Sequence, residues 1–245
     1  MNATSNPFKG IGGVRGAMIV GGLFVLLGAS VLGNTSSAAE EPRLVPPPLY
    51  ALTKPVNGIQ TAVFAGGCFW GVQGVFQHVE GVINATSGYA GGSAETATYE
   101  LTETGNTGHA EAVRVVFDPQ KISYGKLLRI YFSAAHDPTQ LNRQGPDIGS
   151  QYRSAIFPID DEQERVAAAY IEQLEAADVF GPEITTTIEV AKPFYRAESY
   201  HQDFMANNPS HPYIAYYEEP KVQTLKAFFP ELYREKAVLV SDARG

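Results

Sequence analysis

One hexapeptide constrains this chain more than any other stretch. Gly66-Gly67-Cys68-Phe69-Trp70-Gly71 holds the only cysteine and the only tryptophan in 245 residues. Before it, residues 61–65 (Thr-Ala-Val-Phe-Ala) read as a short buried strand. After it, Val72, Val75, Phe76 and Val79 repeat at i, i+3, i+4, i+7, the apolar stripe of a helix over about 68–79. Two glycines permit the sharp strand-to-helix turn, and their bare backbones leave the approach to the sulfur open. A cysteine at the first helical position faces unpaired N–H groups and the positive end of the helix dipole, which favour thiolate over thiol. That pattern predicts a low-pKa, nucleophilic Cys68. An inert core cysteine is the alternative that spacing alone leaves open.

Residues 1–39 read as separate from the fold. Lys9 and Arg15 precede an apolar run of 16 residues, 17–32, and Ser36-Ser37-Ala38-Ala39 offers small residues for cleavage. The run is short against the ~20 residues of a membrane span, and a cleaved signal peptide and an N-terminal membrane anchor both stay open. The expected location is outside the cytoplasm, periplasmic or membrane-anchored facing the periplasm. Residues 40–58 carry Pro42, Pro46, Pro47, Pro48 and Pro55 and are expected to form an extended linker. Residues 59–235 form the expected folded domain and 236–245 a C-terminal tail. A net charge of −8 without a Lys/Arg cluster argues against nucleic acid and anionic membrane as partners. One cysteine excludes an intramolecular disulfide, and a lone thiol in an exported protein points to a thiol that is used. A monomer is the default expectation.

In chain order, strand and helix are followed by a strand over 82–89, a polar stretch over 93–109, and an alternating strand over 110–117 stopped by Asp118-Pro119. Ser123 caps a helix with Tyr124, Leu127, Leu128, Tyr131 and Phe132 on one face. A strand over 151–157 completes a β-α-β-β-α-β order, the ferredoxin-like pattern. Asp160 and Gln163 pair as a capping box for a further helix closed by Gly181-Pro182. Residues 184–190 are β-branched and strand-like, and 221–232 read as helical. The fold class is α+β: a two-layer α/β sandwich with extra C-terminal helices and a strand.

Alternation puts Glu111 on the side of Val113, Val115 and Phe117. A carboxyl at the edge of an apolar wall is raised in pKa by desolvation, which makes Glu111 a candidate general acid, unless it escapes to water or pairs with Arg114 or Arg153. Phe69 and Trp70 either line a small apolar pocket beside Cys68 or pack the core. Tyr89, Tyr99 and Tyr152 are phenols able to donate to an oxygen. His109, with Asp147 or Asn106 as orienter, fits a Cys–His hydrolase acting on an amide or thioester; a local hydrogen-bond bracket is its other reading. The five histidines show no paired ligand spacing, so no metal is expected. Gly88-Tyr-Ala-Gly-Gly92 lacks the context of a nucleotide-binding loop.

Together these residues resemble the peptide methionine sulfoxide reductase A family. Gly67-Cys68-Phe69-Trp70-Gly71 is similar to its signature, and so, in order from about 61 to 217, are Ser87-Gly-Tyr-Ala-Gly-Gly92, Tyr99-Glu100, Thr107-Gly-His-Ala-Glu111, His136-Asp-Pro-Thr-Gln140, residues 143–153 and Ala197-Glu-Ser-Tyr-His-Gln202. The resemblance implies Cys68 as nucleophile at the sulfoxide sulfur and Glu111 as the acid for its oxygen. Tyr99 and Tyr152 would hydrogen-bond that oxygen, Phe69 and Trp70 hold the S-methyl group, and Asp147 assist in the polar part of the pocket. It implies the S epimer of methionine sulfoxide, free or in proteins, as substrate, and no bound cofactor. Many family members carry recycling cysteines, whereas residues 222–245 have none. The sulfenic acid left on Cys68 would then need an external thiol, from a thioredoxin-like domain, a glutaredoxin system or a small molecule.

Overall fold

In a computed structural model of the chain, residues 42–50, 58–190 and 192–240 are described. The expected signal or anchor, 1–39, lies outside them. In chain order the elements are β1 (Gln60–Gly66), α1 (Phe69–Gln77), β2 (Val82–Ala90), α2 (Tyr99–Thr102), β3 (Ala110–Phe117), α3 (Tyr124–Ile130), β4 (Arg143–Gln144), β5 (Asp147–Ile148), β6 (Ser154–Ile156), α4 (Asp161–Ala176), β7 (Thr187–Ile188), β8 (Phe194–Arg196), α5 (Phe204–Asn207) and α6 (Glu219–Phe228). Six strands form one sheet in the order β7-β6-β1-β3-β2-β8. β6, β1, β3, β2 and β8 are each antiparallel to the next, and β7 joins β6 in parallel. The protein is α+β.

Period-two alternation sorts the strands between two faces. Ala62, Phe64, Val113, Val115 and Phe117 meet the helices, while Val63, Ala65, Ala110 and Ala112 form a smaller cluster on the opposite face. Val72, Val75, Phe76 and Val79 of α1 pack into the larger cluster with Leu127 and Leu128 of α3 and Val166, Tyr170 and Leu174 of α4. Phe64 lies at the centre, stacked on Phe76 and Tyr131 with ring centroids 5.3 and 5.0 Å away. Each such fully buried side chain contributes about 1.5–3 kcal/mol.

Ser123 caps α3, its Oγ accepting from the Lys126 amide at 3.2 Å. Asp160 caps α4 through the Gln163 amide at 2.8 Å. The return bond of Gln163 goes to the Ile159 amide rather than that of Asp160. α4 ends before the expected Gly181-Pro182: Asp178 adopts φ 48°, and the Asp178 and Val179 amides donate to the Glu175 and Leu174 carbonyls. An Asp in the left-handed region closes a helix as glycine does. The strands expected over 151–157 and 184–190 shorten to three and two residues. Residues Ser150–Tyr152 instead form a 3-10 turn, fixed by Ser150 Oγ donating to the Gly105 carbonyl. α6 starts two residues earlier than expected and follows a π turn, Ile214–Glu218.

Residues 42–50 do more than space two segments. Val45 is buried, its amide donating to Ser133 Oγ, and the Pro46 and Pro47 carbonyls accept from Tyr170 Oη and Gln173 Nε2. At the other end, within the expected tail, Val238 donates to the Gln77 carbonyl and Val240 to Asp203 Oδ1.

Candidate active site

The β1–α1 turn is built by glycines, and side chains fill the space they leave. Gly67 has φ +84°, and a Cβ there would lie 2.4 Å from Gln144 Cβ; one on Gly66 would lie 3.0 Å from the His136 ring. Gly71, in the first turn of α1, makes room for Glu218, whose Oε2 would stand 1.5 Å from an added Cβ. The space beside the two turn glycines is therefore filled by His136 and Gln144, and that beside Gly71 by Glu218. Cys68 is the N-cap residue of α1.

Glu111 sits on β3 opposite Tyr89 of β2, on the helix-facing side of the sheet. Its Oε2 accepts from the Phe69 amide at 2.8 Å, which brings the carboxyl to the residue beside Cys68. The group is only 2% exposed. Burial raises its pKa well above the ordinary carboxyl value; the Phe69 amide opposes this, and the charges of Glu103, Asp147 and Glu218 add to it. Glu111 thus holds its proton more tightly than an ordinary carboxyl.

The expected low-pKa thiolate is not what the structure holds. Cys68 is 8% exposed, and burial pushes its thiol well up. The charges of Glu111 and Glu218, and more weakly Asp147, push further, and the Trp70 amide acts in the opposite direction. Burial outweighs the helix start: it is the largest influence on the thiol, the Trp70 amide opposes it, and the Phe69 amide serves the Glu111 carboxyl instead. Sulfur and carboxyl are both shifted toward their protonated forms.

Two phenols and an acid complete the polar side. Tyr99 opens α2, and burial raises its pKa, followed by the charges of Glu103 and Glu111. Tyr152 donates to both carboxylate oxygens of Glu103 at 3.1 Å; burial and the charge of Glu111 raise it. Asp147 accepts a short bond from Tyr213 Oη, and burial raises its pKa against that bond. Glu218 is buried and ion-paired to Lys221 at 2.8 Å.

The two apolar candidates part company. Phe69 is 1% exposed and packs on Tyr89 and His201, so it forms the floor beneath the site rather than an open wall. Trp70 is half-buried, stacked on Phe204 at 3.8 Å and edge-on to Tyr213, and its Nε1–H donates to His201 Nδ1 at 3.2 Å. Tyr89 donates to Glu198 at 2.7 Å and is held in the core. His109 Nδ1 accepts from the Gly92 amide and Nε2 meets the Ser93 carbonyl at 2.9 Å, which leaves no nitrogen to act as base for Cys68. A cavity of about 530 Å³ lies alongside and shares Tyr213 and Glu218 with the site, but Cys68 and Glu111 do not line it. Among the described residues no cluster of His, Cys, Asp and Glu fits a metal, and no helix is long and apolar enough to cross a membrane.

The family model of the peptide methionine sulfoxide reductases matches residues 60–232. The chain belongs to that family. A peptide methionine sulfoxide reductase of Mesorhizobium japonicum is 58% identical over 190 residues, covering 78% of this chain and 97% of its own. One from Deinococcus radiodurans is 50% identical over 182 residues, covering 74% and 88%. Among solved structures, methionine sulfoxide reductase A of Corynebacterium diphtheriae superposes with a TM-score of 0.54 at 34% identity, covering 68% of this chain and 84% of the other. The reduced form of Mxr1 from Saccharomyces cerevisiae gives 0.56 at 32%, covering 62% and 87%. Membership in a reductase family agrees with the engaged nitrogens of His109 and disfavours the Cys–His hydrolase. Sequence reasoning missed Glu103, Tyr213 and Glu218. Only Glu103 leaves a faint signal, standing one helical turn after Tyr99.

Proposed function

We propose that the chain reduces the S epimer of methionine sulfoxide, free or in proteins, and that the contact between Glu111 and the amide next to Cys68 is where the reaction runs. A sulfoxide is a poor electrophile until its oxygen gains a proton. Glu111 Oε2 is taken by the Phe69 amide, so Oε1 carries the proton to that oxygen, and Tyr99 and Tyr152 hydrogen-bond it. The carboxylate so formed takes the thiol proton, and the Cys68 sulfur attacks the substrate sulfur. The S–O bond of the sulfoxide breaks and one forms at Cys68: thiol plus sulfoxide becomes sulfenic acid plus thioether. Cys68 loses two electrons and the methionine sulfur gains them. Trp70 flanks the S-methyl group, and Asp147, tied to Tyr213, shapes the polar end.

Cys68 is the sole cysteine of the sequence, so the sulfenic acid is reduced by two external thiol groups with release of water. A thioredoxin-like domain, a glutaredoxin system or a small thiol supplies them, with no bound cofactor. The basic and apolar pattern of 1–39 supports export, as a cleaved signal or an anchor, to a periplasmic site of action. The decisive experiment is an assay on resolved S and R sulfoxides with dithiothreitol, comparing wild type with Cys68→Ser. Turnover of S alone, abolished in the variant, is expected; equal turnover of both epimers, or activity without Cys68, would overturn the assignment.

A further inference from the structure

The 3-10 turn that carries Tyr152 is fastened to the end of α2 by three bonds. Ser150 Oγ donates to the Gly105 carbonyl at 2.8 Å, Gln151 Nε2 to the Glu103 carbonyl at 3.3 Å, and Tyr152 Oη to the Glu103 carboxylate. The last is symmetric, 3.1 Å to each oxygen. Glu103 is the C-cap residue of α2, and its amide donates to the Tyr99 carbonyl. Four residues apart on one helical turn, Tyr99 and Glu103 present their side chains on the same side. One carboxylate therefore joins the elements that bear the two phenols of the oxygen site. Among the described residues no ion pair includes Glu103.

We propose that Glu103 is a positioning residue for the reduction: it holds the Tyr152 phenol at the site until a sulfoxide oxygen takes that O–H from it. A phenol has one proton to donate, so Tyr152 serves either Glu103 or the substrate. Without the latch the ring must be ordered during binding, which weakens binding of the sulfoxide. Glu103 also adds its charge to the surroundings of Glu111. From α2 come Tyr99 and Glu103, from β5 Asp147, and from the 3-10 turn Tyr152. Cys68 stands beside it on the β1–α1 turn, Tyr89 on β2, and Glu218, paired to Lys221, on the π turn. Removing one of these charges favours the ionised form of Glu111 and lowers its pKa.

The inference rests on the reductase reading, and a single-turnover experiment separates the two. Methionine release from the S sulfoxide is followed without reductant, from pH 5 to 10, in wild type, Glu103→Gln and Glu103→Ala. Glutamine keeps an acceptor for Tyr152 and loses the charge. Its half-saturating sulfoxide concentration should stay within about twofold of wild type while its alkaline limb moves down by about half a pH unit or more. Alanine loses both and should raise the half-saturating concentration at least about fivefold. A glutamine profile superimposed on wild type, or an alanine variant with unchanged saturation, would overturn the proposal. Should alanine fail to fold, Glu103→Leu, which keeps bulk and loses the acceptor, replaces it with the same expected rise and the same overturning result. No methionine from wild type would instead remove the reductase reading.

Discussion

Oε2 of Glu111 accepts the amide proton of Phe69 at 2.8 Å, so a carboxyl from the middle of the sheet docks on the first turn of the helix that begins at the nucleophile. This bond joins acid and sulfur through two rigid elements. It also settles which carboxyl oxygen is left to hold a proton.

Glu111→Gln retains an acceptor for Phe69 and removes the transferable proton. The maximal single-turnover rate should fall about 10²–10⁴-fold, the range of a lost general acid. The circular dichroism spectrum should stay unchanged. A rate within tenfold of wild type would assign the proton to another group.

The same substitution has an opposite effect on stability. The folded-state pKa of Glu111 is raised above its unfolded value near 4.5, so the folded protein binds the proton more tightly. Its contribution is fully present below about pH 4.5 and is lost as pH rises toward the folded pKa. Glu111→Gln should therefore melt at the same temperature as wild type near pH 4 and progressively above it from pH 6 to 8. Melting curves across that range provide the check.

Gly71→Ala places a methyl group where Glu218 lies. Glu218 must leave its pairing with Lys221, and destabilisation of about 2 kcal/mol or more is expected. Adding Glu218→Ala should return part of that loss, since the clash partner is gone. Denaturant titration of both singles and the double variant measures the coupling; purely additive values would show that the two residues do not collide.

After one equivalent of substrate, the oxidised protein should carry one sulfenic acid and no intrachain disulfide. A sulfenic-specific trapping reagent with peptide mass mapping should place the adduct on Cys68. Absence of the adduct after stoichiometric methionine release would require a different oxidised product.

Much of the site was readable because it lies in regular, strongly patterned segments. The alternation of 110–117 placed Glu111 on the helix-facing side, and the stripe from Val72 to Val79 placed Cys68 at a helix start. The thiol's ionisation was not readable, because it depends first on burial, which tertiary packing sets. The charges of Glu111 and Glu218 come next, the latter from a segment far along the chain. Phe69 and Trp70 are adjacent in sequence, yet one enters the core and the other meets Phe204 and Tyr213, a division set by tertiary packing. The short strands β6 and β7 were overestimated because β-branched runs mark strand propensity, whereas pairing partners decide length.

The sheet closes on β7 and β8, ladders of two and three residues. Borders that brief give an unravelled polypeptide almost nothing to zip onto. For an enzyme of a family that reduces oxidised methionine in peptides, ladders that brief at β7 and β8 leave recognition to the side chain presented at Cys68 rather than to backbone pairing along those strands.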